Sequence, residues 1–298
     1  SASTSTDQAP MHLFSFGLGY SASALAARLA ATGWTITGTS TSSAGAARIG
    51  ALGYRGIVFD GASPSPEVRV ALADATHVLL SIPPAAEGDP AFVHHAADIA
   101  RATKLGWIGY LSTVAVYGDQ RGGWVDETSP PNPMSERGKR RLDAENAWLT
   151  LGARSGKTVM VFRLPGIYGP GRSMLDDVAD GTARRLIKTD QVFNRIHVDD
   201  IAGAVEAAIQ RPRAGGIFNV VDDEPGPPQD VVSFAADLLG RAPPPDMPFE
   251  DAKLSPMARS FYSENKRVRN ARLKAELGYA LAYPTYREGL RAIAARTS

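Results

Sequence analysis

The chain contains no cysteine. Disulfides, thiolate metal sites and a cysteine nucleophile are therefore excluded, and the absence fits a reducing compartment. Histidine is scarce at five residues. His94 and His95 are adjacent, but no spacing suggests a metal site, and none is expected. No apolar run is long enough to span a bilayer. The opening SASTSTDQAP has neither a basic n-region nor an apolar h-region. Residues 1–10 read as a tail or a cloning remnant before Met11. Charge of one sign is also missing: 32 basic side chains face 31 acidic ones, for a net charge of +1. No overall field draws such a chain to nucleic acid or to an anionic membrane. The expectation is a soluble cytoplasmic protein with no nucleic-acid and no membrane partner.

The 298 residues are 44% hydrophobic and 21% charged, which is ordinary globular composition with length for a large core. Apolar runs alternate with helix-forming stretches. HLFSF (12–16), WTITGTS (34–40), YRGIVFD (54–60), THVLLSI (76–82), WIGYLST (107–113) and TVMVFRL (158–164) read as strands, and the segments between them as helices. Near-continuous apolar strands separated by helices predict a parallel α/β sheet covered on both faces, in a doubly wound arrangement. After Leu164 the alternation loosens. RIHVDDIAGAVEAAIQRP reads as a strand entering a helix with Asp199 or Asp200 as N-cap. RAPPPDMP (241–248) reads as a stiff connector, and the C-terminal stretch as two helices around a Tyr-Pro turn.

FGLGYSA places Gly17-x-Gly19-x-x-Ala22 directly after the first strand, where Tyr20 and Ser21 open a helix. Gly17 permits a tight turn, Gly19 lets a pyrophosphate reach the backbone, and the helix N-terminus faces it with free N–H groups. This points to a dinucleotide. The second strand ends GTSTSS, without the acid that usually takes an NAD ribose. Thr39, Ser40 and Thr41 offer hydroxyls that suit a 2′-phosphate, so the cofactor is NADP or NAD, with a lean to NADP. Asp60 reads either as an adenine contact or as a plain turn residue.

Three motifs are set aside. GARSGKT (152–158) has the wrong spacing for a phosphate-binding loop and precedes a strand. YSENK (262–266) is a literal Tyr-x-x-x-Lys, but it lies far in sequence from the strand ends and reads as coincidence. His197 reads as a structural residue at a strand–helix corner.

YLSTVAVYGDQ (110–120), RLPGIYGPGR (163–172), RIHVDDIA (195–202) and FNVVDDEP (218–225), taken together and in order, resemble the extended short-chain dehydrogenase/reductase family, the NAD(P)-dependent epimerase/dehydratase group. The resemblance spans nearly the whole chain from Met11. It implies a Rossmann domain with a sheet of about seven strands, over 11–171 and 195–224. It implies a smaller substrate-binding α/β lobe over 172–194 and 225–298, with a cleft between them, and it is compatible with a homodimer. It implies that Thr113 hydrogen-bonds a reacting carbonyl, that Pro165 and Gly166 line the nicotinamide, and that Ser81, Ile82 and Pro83 pass the cofactor. Tyr117, Arg172 and Arg195 are candidate substrate contacts.

One departure is chemical. RLDAE (141–145) aligns the helix that in the family carries Tyr-x-x-x-Lys, and puts Arg137 and Arg141 at those two positions. General acid–base catalysis contributes about 10²–10⁴-fold in rate, and a guanidinium stays protonated throughout the biological range, so Arg137 cannot supply it. Residues i and i+4 share a helix face. Arg137 is then read as holding a substrate anion and Arg141 as holding the cofactor ribose, with Lys139 and Arg140 in solvent. The general acid is open between Ser135, Tyr117 and a water. The expectation is an atypical oxidoreductase or epimerase acting on a small or nucleotide-linked anionic molecule. The alternatives are a non-catalytic NAD(P)-binding sensor, or a sugar-nucleotide epimerase/dehydratase with rerouted proton transfer.

Overall fold

A computed structural model describes residues 10–297. The tail reading of residues 1–10 lies, apart from Pro10, outside the described residues. The first half alternates as β1 (His12–Phe16), α1 (Tyr20–Ala30), β2 (Thr35–Ser40), α2 (Ser43–Ala51), β3 (Arg55–Val58), α3 (Pro66–Leu72), β4 (His77–Leu80), α4 (Pro90–Arg101) and β5 (Trp107–Thr113). A 3₁₀ turn (Val114–Tyr117), β6 (Trp124–Val125), α5 (Glu136–Ser155), β7 (Thr158–Leu164), β8 (Gly166–Tyr168), α6 (Met174–Ala179), β9 (Arg185–Ile187) and β10 (Arg195–His197) follow. The chain ends with α7 (Val198–Gln210), β11 (Gly216–Asn219), α8 (Pro228–Leu238), β12 (Asp246–Pro248), α9 (Pro256–Phe261), β13 (Arg267–Val268), α10 (Ala271–Leu277) and α11 (Tyr286–Thr297).

Seven strands form one parallel sheet in the order β11-β7-β5-β4-β1-β2-β3. Each sheet strand alternates its side chains between two buried faces. Leu13, Trp107, Phe162 and Phe218 pack with α1, α7 and α10 on one side. Phe14, Phe16, Ile108 and Tyr110 pack with α3, α4 and α5 on the other. That double burial is why the strands read as continuous apolar runs. Order reverses between β1 and β4, which pair directly. In such sheets ligands bind at the carboxyl ends of the strands flanking that switch point. A third cluster, with Leu175, Val232, Ala235 and Leu290, joins α6, α8 and α11 beside this edge.

Three sequence expectations change. RAPPPDMP is not wholly a connector: its last three residues form β12, which pairs with β9. The helix expected between the strands at 107–113 and 158–164 begins only at Glu136, because Ser135 caps it by accepting the Gly138 N–H at 3.0 Å and Gly156, at φ +69°, ends it. Neither Asp199 nor Asp200 caps α7. The His197 imidazole does, accepting the Asp199 N–H at 3.0 Å. Asp200 is buried and accepts from the Tyr279 hydroxyl and from the Ala282 and Tyr283 N–H groups, which ties α7 to the chain before α11.

Candidate active site and cofactor cleft

The turn after β1 has the geometry that a pyrophosphate needs. Gly17 sits at φ +79°, and a Cβ there would stand 3.3 Å from Ile82. The turn is therefore pressed against the Ser81–Ile82 loop, whose Ser81 N–H donates to the Phe16 carbonyl at 3.0 Å. Above Gly19 there is open space, since a Cβ would meet nothing within 4 Å. Helix α1 starts at Gly19 with no side-chain cap and no acid in its first turn. Its first-turn N–H groups are thus free for an anion. From the other side, the loop after β8 crosses this helix. The Tyr20 hydroxyl donates to the Pro170 carbonyl at 2.9 Å, and the Arg172 guanidinium lies 5.5 Å from the Tyr20 ring centre. A Cβ on Gly169 would stand 2.4 Å from that hydroxyl, so glycine is what lets the loop pass so closely.

The ribose end differs from the sequence reading at Thr39. Its hydroxyl is buried and accepts the Gly17 N–H at 2.8 Å, so it braces the turn rather than offering itself to a ligand. Ser40 and the exposed Thr41 remain. A Cβ on Gly45 would fall 1.8 Å from the Ser40 Oγ, so the start of α2 closes on the end of β2. Asp60 is exposed, and one of its oxygens accepts the Ala62 N–H at 2.8 Å, which is the turn role.

A cavity of about 700 Å³ opens between the ends of β5 and β7 and the segment around α9. Thr113, Ser135 and Arg137 line one side, Pro165 and Gly166 the next, and Arg172 and Arg195 another. The structure thus gathers residues that lie far apart in the sequence, from Thr113 to Lys266. Thr113 Oγ1 accepts the Ala115 N–H at 3.1 Å and caps the 3₁₀ turn, and its own O–H is left to donate. Ser135 likewise spends its oxygen on the α5 cap. Arg137 is exposed and lies 5.2 Å from the Phe261 ring centre. Burial lowers the pKa of Arg195 from its ordinary value, against nearby acids led by Asp222.

Four site readings need correction. Tyr117 does not line the cavity: it is fully buried, its hydroxyl donating to Asn219 Oδ1 at 2.7 Å and accepting from Arg163 at 3.0 Å. It can neither touch a substrate nor serve as the acid. Arg141 is not on the cavity wall beside Arg137. It turns under β5, donating to the Leu111 carbonyl at 2.7 Å with its guanidinium 6.0 Å from the Tyr110 ring centre. Thr39 is the third. The fourth is YSENK, which is no bystander, because Tyr262, Glu264 and Lys266 all line the cavity. Lys266 is 6% exposed, and its ammonium donates to the Gly118 carbonyl at 3.0 Å and to Glu264 Oε2 at 2.6 Å. Lys139 pairs with Glu136 in solvent, as its helix position implies.

Beneath the cavity a closed polar network fixes the strand ends. Glu145 of α5 accepts from Arg163 Nε at 3.0 Å and Nη2 at 2.8 Å, and from Ser112 Oγ at 2.5 Å. Asn219 of β11 receives Tyr117, and its own N–H donates to Glu127. The glutamate that anchors the family alignment thus locks β5 to β7 next to Thr113.

The Gly17 turn, the parallel sheet and the catalytic-helix position define the class, and the chain belongs to the NAD-dependent epimerase/dehydratase family, whose profile matches residues 17–221. It is 31% identical over 281 residues to protein YeeZ of Escherichia coli K12, covering 90% of this chain and 94% of that one. It is 29% identical over 248 residues to a 3-diazoavenalumate denitrifying reductase of a Streptomyces species, covering 76% and 79%. A solved structure of a functionally unknown conserved protein from Silicibacter pomeroyi DSS superposes with a TM-score of 0.87 at 48% identity, over 97% of this chain and 99% of that one. Among the described residues, no helix is long and apolar enough to cross a membrane and no cluster of His, Cys, Asp and Glu could hold a metal ion.

Proposed function

We propose that the chain is an NAD(P)-dependent oxidoreductase acting on a small anionic substrate in the cavity at Thr113, with NADP favoured over NAD. The observation that carries this reading is the charge of the cavity wall. Among the described residues it holds Arg137, Arg172, Arg195 and Lys266 against one carboxylate, Glu264, in a chain whose net charge is only +1. The dinucleotide would lie along Gly17, Gly19, Tyr20 and Ser21, reach Ser40 and Thr41 at its ribose and Asp60 at its adenine, and pass Ser81, Ile82 and Pro83 to Pro165 and Gly166. When bound, it supplies or takes up a hydride at that last pair.

The residues around that point have separable tasks. The Thr113 O–H donates to the substrate atom on which negative charge develops. Arg137 stays protonated and puts a fixed positive charge at the exposed end of the wall, where an anionic substrate enters. Ser135 is the remaining hydroxyl of the three original candidates for carrying a proton, the others being a water and the sealed Tyr117. Arg141, turned under β5 with an N–H on the Leu111 carbonyl, would hold the strand end that carries Thr113 rather than touch the cofactor. Reduction is favoured over epimerisation because one relative is named a reductase. The second lobe, residues 172–194 and 225–298, would supply the substrate contacts. A cytoplasmic location and a homodimer complete the reading.

A second reading, a sensor that binds NAD(P) without turnover, is favoured by Arg137 standing at the family's tyrosine position. The two separate in one experiment. NADPH consumption is followed against a panel of carboxylate-bearing carbonyl compounds with wild type, Thr113→Ser and Thr113→Val. Turnover that Ser keeps and Val lowers by about 10²-fold or more supports the enzyme. NADPH binding without turnover of any compound supports the sensor.

A further inference from the structure

The cavity wall has two characters, and together they describe a ligand. Its exposed end is apolar. Met257 and Phe261 are 62% and 47% exposed, both belong to the lining, and both lie on the six residues of α9. Large apolar side chains left in water at the rim of a polar cleft mark a surface that a ligand covers. Arg137 extends this end, its guanidinium over Phe261 on one face and with a second planar face on which a flat ligand can stack.

The buried end is cationic with donors to spare. Lys266 uses two of its three N–H donors, on Gly118 and Glu264. Arg195 has long bonds to the Phe193 and Gly226 carbonyls, at 3.3 and 3.5 Å, and no carboxylate within salt-bridge distance among the described residues. A guanidinium carries five N–H donors in a fork that matches a carboxylate.

Resting on the oxidoreductase reading above, we infer that the substrate is a small aromatic or conjugated monocarboxylate, its carboxylate held by Arg195 and Lys266 and its flat apolar body against Met257, Phe261 and Arg137. A nucleotide sugar fits the same wall poorly. Its many hydroxyls and its base would lie against hydrocarbon at the α9 end and lose their hydrogen bonds with water. Of these contacts, Met257, Phe261 and Lys266 lie outside the family match at residues 17–221.

The test is isothermal calorimetry with three probes: trans-cinnamate, its neutral isostere cinnamamide, and UDP-glucuronate. Each is titrated into protein saturated with NADP⁺, after NADP⁺ binding has itself been measured. Cinnamate is expected to bind at least about tenfold more tightly than the amide. Arg195→Met and Lys266→Met should each erase most of that difference, and Phe261→Ala should weaken acid and amide alike. Thermal unfolding of each variant verifies that it is folded. Equal binding of acid and amide, tighter binding of UDP-glucuronate, or no binding of cinnamate overturns the inference. If NADP⁺ binds in those cases, the cofactor reading survives alone; if NADP⁺ does not bind, both fall.

Discussion

Arg163, on β7 of the seven-stranded sheet, and Arg195, on β10 of the two-stranded sheet with β8, keep opposite company. Arg163 is 2% exposed and grips Glu145, itself 1% exposed, with two bonds, adding a third to the Tyr117 hydroxyl. Burial alone would lower the pKa of Arg163, but the Glu145 carboxylate more than offsets this and raises it. Arg195 has two long backbone bonds and a more distant acid. The difference teaches how to tell architecture from function among buried charges. A cation whose donors are all matched inside the protein holds strands together. A cation that faces a cavity with donors unmatched can take a ligand as its partner.

That comparison can be broken most sharply at Glu145. Glu145→Ala leaves Arg163 without its carboxylate and Ser112 without its acceptor, and should cost about 3–5 kcal/mol in urea unfolding, since breaking a buried pair leaves an uncompensated charge. The pair of changes Glu145→Leu with Arg163→Met should cost far less. A loss under about 1 kcal/mol for Glu145→Ala would dissolve the distinction.

A smaller effect is expected at Asp222, the acid nearest in influence to Arg195. Burial pushes its carboxyl up to about 7, and neither the Glu224 N–H bonded to it nor the Arg195 charge brings it back to the ordinary range. One carboxyl oxygen, Oδ2, is buried with no hydrogen-bond partner. The folded protein therefore keeps a proton that the unfolded chain has released, and stability falls as pH rises through about 7. Between about pH 6 and about pH 8 the wild type should lose on the order of 1 kcal/mol that Asp222→Asn keeps. A wild type that gained stability over this window would mean that Arg195 and Asp222 are a true pair. The smallest effect belongs to Arg195 itself. Arg195→Met should change unfolding free energy by less than about 1 kcal/mol, because no protein carboxylate loses its bonded partner. A loss rivalling Glu145→Ala would make Arg195 architectural.

The sheet strands were legible because burial on both faces writes near-continuous apolar runs, from Leu13 to Phe16, broken by Ser15, as from Val159 to Phe162. The Gly17 turn was legible because its constraint is local. Lys266 was not: its ammonium docks on Gly118, 148 residues earlier, and no periodicity reports a contact at that range. YSENK offered the signal, but its distance in sequence was mistaken for distance in space. Tyr117 failed for the opposite reason. Its spacing from Thr113 suits a site residue, while the partners that seal it, Asn219 and Arg163, lie on other strands. At α7 a histidine caps where two aspartates stand ready, because Asp200 is drawn inward by Tyr279.

On the proposed reading, the Gly17 turn seats a nicotinamide dinucleotide beside the cationic cavity. The most direct measurement is a fluorescence titration of NADPH into wild type and Gly17→Val, both verified as folded by circular dichroism. A side chain at φ +79° and 3.3 Å from Ile82 is strained and crowds the turn. Saturable binding to wild type, weakened about tenfold or more in the variant, is the predicted result. No binding to wild type, or equal binding to both, would contradict it.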